Sequence, residues 1–156
     1  MARARCVRRS ARGPDAAGLC ASGRPAHKAA MDKLLLVAAG GAAGAVARYG
    51  LGLQAARLGT AWPVGTFLCN LIGGALMGLL AGWLALRGGA EAERLRVLLG
   101  VGVLGGFTTF SAFSLETARM IEARTLGQAA LYSVASVGLS VAALFAGLAL
   151  ARRAFA

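Results

Sequence analysis

Gly105-Gly106-Phe107-Thr108-Thr109-Phe110-Ser111-Ala112-Phe113-Ser114 is the stretch on which the reading of this chain turns. It lies inside an apolar segment from Leu95 to Met120, with ten residues ahead of the glycine pair and ten after Phe110. At ~1.5 Å rise per residue, each flank covers about half of a ~30 Å hydrocarbon core. Glycines and hydroxyls therefore fall near the midplane of a membrane span, where Leu, Ile or Val is usual. Adjacent glycines followed by Thr-Thr make a poor helix, so the segment predicts a break. A break frees carbonyls and amides, and lipid tolerates these only where backbone is buried in protein or lines a wet cavity. Half-helices meeting inside a membrane are a recurrent way to build an ion site.

The rest of the chain fits a membrane protein. Of 156 residues, 58% are hydrophobic and 15% charged, and mean hydropathy is +0.67, which excludes an ordinary soluble core. The formal charge of +11 is uneven, since seven of the 17 Lys and Arg fall in the first thirty residues. Basic residues beside apolar spans read as a topology signal and as lipid contacts, and no basic-aromatic motif points to nucleic acid. Cys6, Cys20 and Cys69 have no metal-ligand spacing and give no disulfide framework.

Residues 1–30 hold six arginines and the single His27, without an apolar run for a signal peptide. They read as a basic arm or Arg-rich targeting peptide, or as sequence ahead of a true start at Met31. On either reading disorder is expected, leaving 31–156 as the membrane domain. The first span is predicted over Leu34–Leu53, with a Gly40/Gly44 pair that admits a second backbone closely. Arg48 lies late in it, as an interfacial anchor or as the lining of a wet vestibule. The second span starts at Trp62-Pro63 and ends at Trp83, about 31 Å further on, which matches two interfacial belts. Asn70 lies roughly 12 Å into it and needs partners, either as glue between helices or as a donor lining a pore. Gly74 and Gly78 form a second close-approach pair. A polar loop is expected over Leu86–Arg96, then the broken third span, then a fourth over Leu126–Leu150. Tyr132, Ser136 and Ser140 recur every four residues there and form one polar stripe. Four spans place both termini on one side, and the cationic residues beyond the arm divide six to four, a weak orientation bias.

No span carries an acidic pair, a metal cluster or a nucleophile with a base, so an enzyme is not expected. Glu116 is the one acidic candidate for proton coupling. The remaining midplane groups are neutral, among them Asn70, Thr108, Thr109, Ser111, Phe110, Phe113, Tyr132 and Ser136. Amide and hydroxyl donors, with the positive edges of aromatic rings, can hold a dehydrated anion weakly enough to release it. The carbonyl end of the first half-helix could hold a small cation.

Three motifs then carry a resemblance. Gly40-Gly41-x-x-Gly44-x-x-x-Arg48-Tyr49, Gly65-Thr66-x-x-x-Asn70-x-x-Gly73 and Gly105 to Ser114 with Glu116 together resemble the Fluc/CrcB family of fluoride channels, over about Met31 to Arg153. The resemblance implies an all-α, four-span subunit in a dual-topology antiparallel homodimer in the cell (inner) membrane. It implies passive fluoride export through two pores at the subunit interface, which lowers fluoride toxicity. By motif position Asn70 is then the pore amide, and Phe110 and Phe113 the fluoride-facing rings. Tyr132 and Ser136 line the path with Thr109 and Ser111, and Arg48 sits at a vestibule. The main-chain carbonyls of Gly105 and Thr108 hold a structural sodium at the dimer centre. Ala112, Leu104 and Ser136 depart from residues common in the family, which touches the hydroxyl path rather than the amide, rings or glycines. The competing reading is a small four-helix, dual-topology transporter of organic cations, which requires a carboxylate between Leu34 and Leu53 where none occurs. A structural scaffold would explain the glycine faces but not Asn70 with the Phe-Ser-Thr segment.

Overall fold

The computed structural model describes residues 23–60 and 62–155. Four helical segments in it are long and apolar enough to cross a membrane: Ala30–Ala56, Val64–Leu84, Ala90–Glu122 and Leu126–Phe155. Among the described residues there is no strand. The first helix, α1 (Gly23–Ala56), begins upstream of the expected Leu34. Most of the predicted basic extension lies outside the described residues, and its last eight residues continue α1. Pro25 is accommodated because it stands in the first turn, where its missing N–H has no helical partner to lose.

The second helix, α2 (Val64–Leu84), follows Pro63. The third segment starts as α3 (Ala90–Leu95), earlier than the expected end of the loop at Arg96. Glu91 and Glu93 explain the difference, since carboxylates in a first turn complement the positive helix end. From Arg96 to Leu104 the winding widens into nine π-helical residues, and α4 (Gly105–Phe107) completes this half. Thr108 (φ −81°, ψ 154°) and Thr109 (φ −152°, ψ 122°) are extended. Helix α5 (Phe110–Glu122) then begins, capped by Thr109 Oγ1 accepting from the Ala112 N–H at 3.2 Å.

A tight reversal ends α5. Arg124 takes φ 58°, while Arg124 N–H donates to the Ile121 carbonyl (2.9 Å) and Thr125 N–H to that of Met120 (3.0 Å). This paired Schellman closure needs a left-handed residue, which a non-glycine adopts at some cost. It turns the chain directly into α6 (Leu126–Phe155).

Two glycine seams hold the bundle. On α1, a Cβ on Gly40 would meet the Leu98 carbonyl at 2.6 Å, and one on Gly44 would collide with that of Val103. From the other side, a Cβ on Gly106 would meet the Gly41 carbonyl at 2.5 Å. Gly105 and Gly106 therefore stay helical, and Gly106 serves backbone contact with α1. The second seam joins α2 to α6, with Gly74 against Ser140, Gly78 against Leu144 and Gly147 against Ala75. Both glycine pairs read from the sequence are thus used for close approach, which replaces side-chain interdigitation by backbone packing. By contrast α5 rests lightly on α2 and α6, and buries only Phe113.

Candidate functional site

The two extended threonines give the site its starting point. An extended residue inside an apolar span has a backbone N–H and C=O with no helical partner. At Thr109 both are met by one side chain from α2. Asn70 Nδ2 donates to the Thr109 carbonyl (3.1 Å), and Thr109 N–H donates to Asn70 Oδ1 (2.9 Å). A carboxamide suits this task because it offers an acceptor and a donor side by side. It keeps a second N–H beyond the one given to Thr109. Thr108 closes the preceding half, with its N–H and its hydroxyl both donating to the Leu104 carbonyl at 2.9 Å.

Beside this joint lies a groove of about 410 Å³. Asn70, Thr109, Phe110, Phe113, Ser136 and Ser140 line it, and Met77 and Leu144 form its apolar end. Ser136 is buried, and the hydroxyls of both Ser136 and Ser140 are shielded and make no hydrogen bond among the described residues. Such groups cost free energy unless something accepts their protons. The donors that converge here are therefore neutral: one spare amide N–H and two O–H groups. The N-terminal end of α5 lies at the same place and adds partial positive charge.

Four rings run from the groove towards the α2 end. Phe110 is 76% exposed and packs on Phe113 at 5.5 Å between centroids. Phe113 packs on Tyr132 at 5.4 Å, and Trp62 meets Tyr132 edge-on at 5.9 Å. Tyr132 is completely buried. Its hydroxyl donates to Glu116 Oε2 (2.7 Å), and the Thr66 hydroxyl donates to Glu116 Oε1 (2.7 Å). One carboxylate thus ties α2, α5 and α6 together. The sequence marks Glu116 as a candidate for proton coupling and as the end of the third motif but gives no hint of this tie, because partners 50 and 16 residues away leave no local pattern.

The sequence-predicted residues divide by place. Asn70, Thr108, Thr109, Phe110, Phe113 and Ser136 share the groove. Tyr132 stands behind Phe113, outside its lining. Ser111 is exposed, with its hydroxyl 3.2 Å from that of Thr109. Arg48 is half-buried in a separate depression of about 290 Å³, with Thr66, Cys69, Thr109 and Ala112. Thr109 touches both spaces and Arg48 only one.

The resemblance implies a cation at the carbonyls of Gly105 and Thr108. Gly105 is exposed, and Thr108 follows the carbonyl-bearing end of α4 in extended backbone. Main-chain carbonyls are hard neutral donors suited to a small alkali ion, and a helix C-terminus favours positive charge. Their carbonyls have the donor chemistry such an ion takes.

Comparison with known proteins places this geometry. Residues 35–148 match the family model described as CrcB-like protein, Camphor Resistance (CrcB). A protein of a Caulobacter species named fluoride-specific ion channel FluC is 72% identical, covering 80% of this chain and 98% of that protein. One of the same name from Phenylobacterium zucineum is 71% identical, over 81% of this chain and all of that protein. A third, from Hyphomonas neptunium, is 54% identical over 81% of this chain and all of that protein.

Proposed function

The chain belongs to the CrcB-like family, and from that premise we propose that it is a passive, fluoride-selective channel of the cell membrane, exporting fluoride from the cytoplasm. The observation that carries the reading is the pair of shielded serine hydroxyls, Ser136 and Ser140, opening with Asn70 on one groove. A small dehydrated halide is the acceptor these donors lack. Neutral donors replace part of its water without trapping it, as a buried cation would. The ring edges of Phe110 and Phe113 add weak positive potential, and the α5 N-terminus adds more. Hydrogen fluoride crosses lipid uncharged and ionises inside, so an anion path alone lets fluoride leave down its gradient. An organic-cation transporter is disfavoured, since no carboxylate among the described residues lines this groove.

The extended pair Thr108 and Thr109 supports a break near the midplane of the third span. An antiparallel, dual-topology homodimer is supported by the open side of the groove and by the exposure of Phe110 (76%) and Tyr49 (69%). A second subunit would cover these rings and close the path. At the centre of such a dimer, the carbonyls of Gly105 and Thr108 from both copies would hold a sodium ion, whose charge would steady the joint. Arg48 would serve the wet approach, and Thr109 would link that approach to the groove.

Fluoride-electrode efflux from liposomes holding the purified chain alone tests this. Fluoride release far faster than chloride release is the expected result. Equal release of both ions, or none, overturns it.

A further inference from the structure

Another depression lies away from the Asn70 groove and shares no lining residue with it. It measures about 510 Å³ and lies between α1 and the start of α3. Its floor is leucine: Leu35 and Leu36 from α1, and Leu98 from the π-helical stretch. Leu35 is exposed, so the floor is open at the outer face of α1. Its rim is charged, with Asp32, Glu91 and Arg94.

The charges beside this rim are already spent on one another. Lys33 Nζ is 3.2 Å from Glu93 Oε1, and Arg96 Nε is 2.8 Å from Glu93 Oε2. Among the described residues, Asp32, Glu91 and Arg94 take no part in a salt bridge. Two carboxylates and one guanidinium therefore stand over an apolar floor at a membrane face.

We infer that this niche holds a zwitterionic aminophospholipid of the phosphatidylethanolamine type. Its phosphate pairs with Arg94, its primary ammonium with Asp32 and Glu91, and its upper acyl carbons cover Leu35, Leu36 and Leu98. The charge pattern selects against the alternatives. A trimethylammonium headgroup has no N–H to donate to the carboxylates. An anionic glycerol headgroup brings a negative phosphate and no cation, and leaves both carboxylates repelling it. A primary ammonium offers three donors to two acceptor groups, and charge-assisted bonds of this kind are the stronger ones.

Native mass spectrometry of the purified full chain, titrated with ethanolamine, choline and glycerol phospholipids of identical acyl chains, is the test. The expected result is retention of the ethanolamine lipid at about tenfold lower concentration than the choline lipid. The double variant Asp32→Asn with Glu91→Gln should erase that preference. Arg94→Gln should weaken both lipids alike, since both present a phosphate. Fluoride efflux should persist in every variant, because none of these residues lines the groove, and this reports intact folding. Equal retention of the three lipids by the unaltered chain overturns the inference, as does preference for the glycerol lipid. A preference that survives both substitutions overturns it too.

Discussion

The two halves of the third span are built on different rules. The first, from Ala90 to Phe107, is locked backbone to backbone against α1 through Gly40, Gly44, Gly102 and Gly106. The second, α5, buries one side chain and leaves Phe110, Leu115 and Ile121 exposed. Glycine contact fixes position with little freedom to repack, since no rotamer can adjust. Side-chain contact leaves a surface that can meet a partner or an ion. The frame and the working surface are thus separated along a single span, with Asn70 clamping the point where they meet.

The contrast breaks most severely at the frame. Gly44→Val places a branched side chain into the Val103 carbonyl and within 2.8 Å of the Phe107 N–H. Backbone cannot yield as a side-chain tip does, so the cost exceeds the ~1–3 kcal/mol of ordinary overpacking. Size-exclusion chromatography should show loss of monodisperse protein. Recovery of well-behaved, active protein would mean that the seam is loose.

Next comes the clamp. Asn70→Asp keeps shape but loses the amide donor to Thr109 and places a negative charge on the proposed anion path. Efflux should fall by about 100-fold or more, as expected when a donor and a repulsive charge change together in a low-dielectric site. Circular dichroism should still report a folded helical chain. Normal efflux from this variant would remove Asn70 from the path.

The smallest effect sharpens the comparison. Ser136→Ala removes a buried hydroxyl that makes no hydrogen bond among the described residues. Stability should hold or rise slightly, because an unsatisfied polar group is lost. Efflux should nevertheless drop by about tenfold, the worth of one neutral hydrogen bond to a charged partner. Loss of stability with unchanged efflux would reassign Ser136 to packing.

The four apolar helices were legible because hydropathy and the Trp62/Trp83 bracket are properties of short windows. The two glycine pairs were legible as close-approach faces for the same reason, although their partners were not. The weak point was harder to place. The sequence marks the whole Gly105-Gly106-Phe107-Thr108-Thr109 stretch as poor helix, and within it only Thr108 and Thr109 are extended. Glycine weakens an isolated helix, but Gly106 is held helical by its contact with Gly41, and tertiary packing overrides propensity. At the site, Asn70 stood out because an amide deep in a span demands partners. That both partners belong to one backbone residue 39 positions away was written in no local pattern. The same holds for Glu116 with Thr66 and Tyr132. The π-helical winding of 96–104 leaves no signature at all, since side-chain periodicity over nine residues does not separate it from an α-helix.

That winding acts as a gear between the frame and the joint. An α-helix turns by about 100° per residue, and a wider turn advances less at each step. Over nine residues the lag accumulates and sets the compass bearing at which Thr109 leaves the helix. Wound tightly, the same residues would swing that threonine round the axis and away from α2. The meeting of the α2 amide with the Thr109 peptide group is thus set by loosened turns just upstream of that threonine.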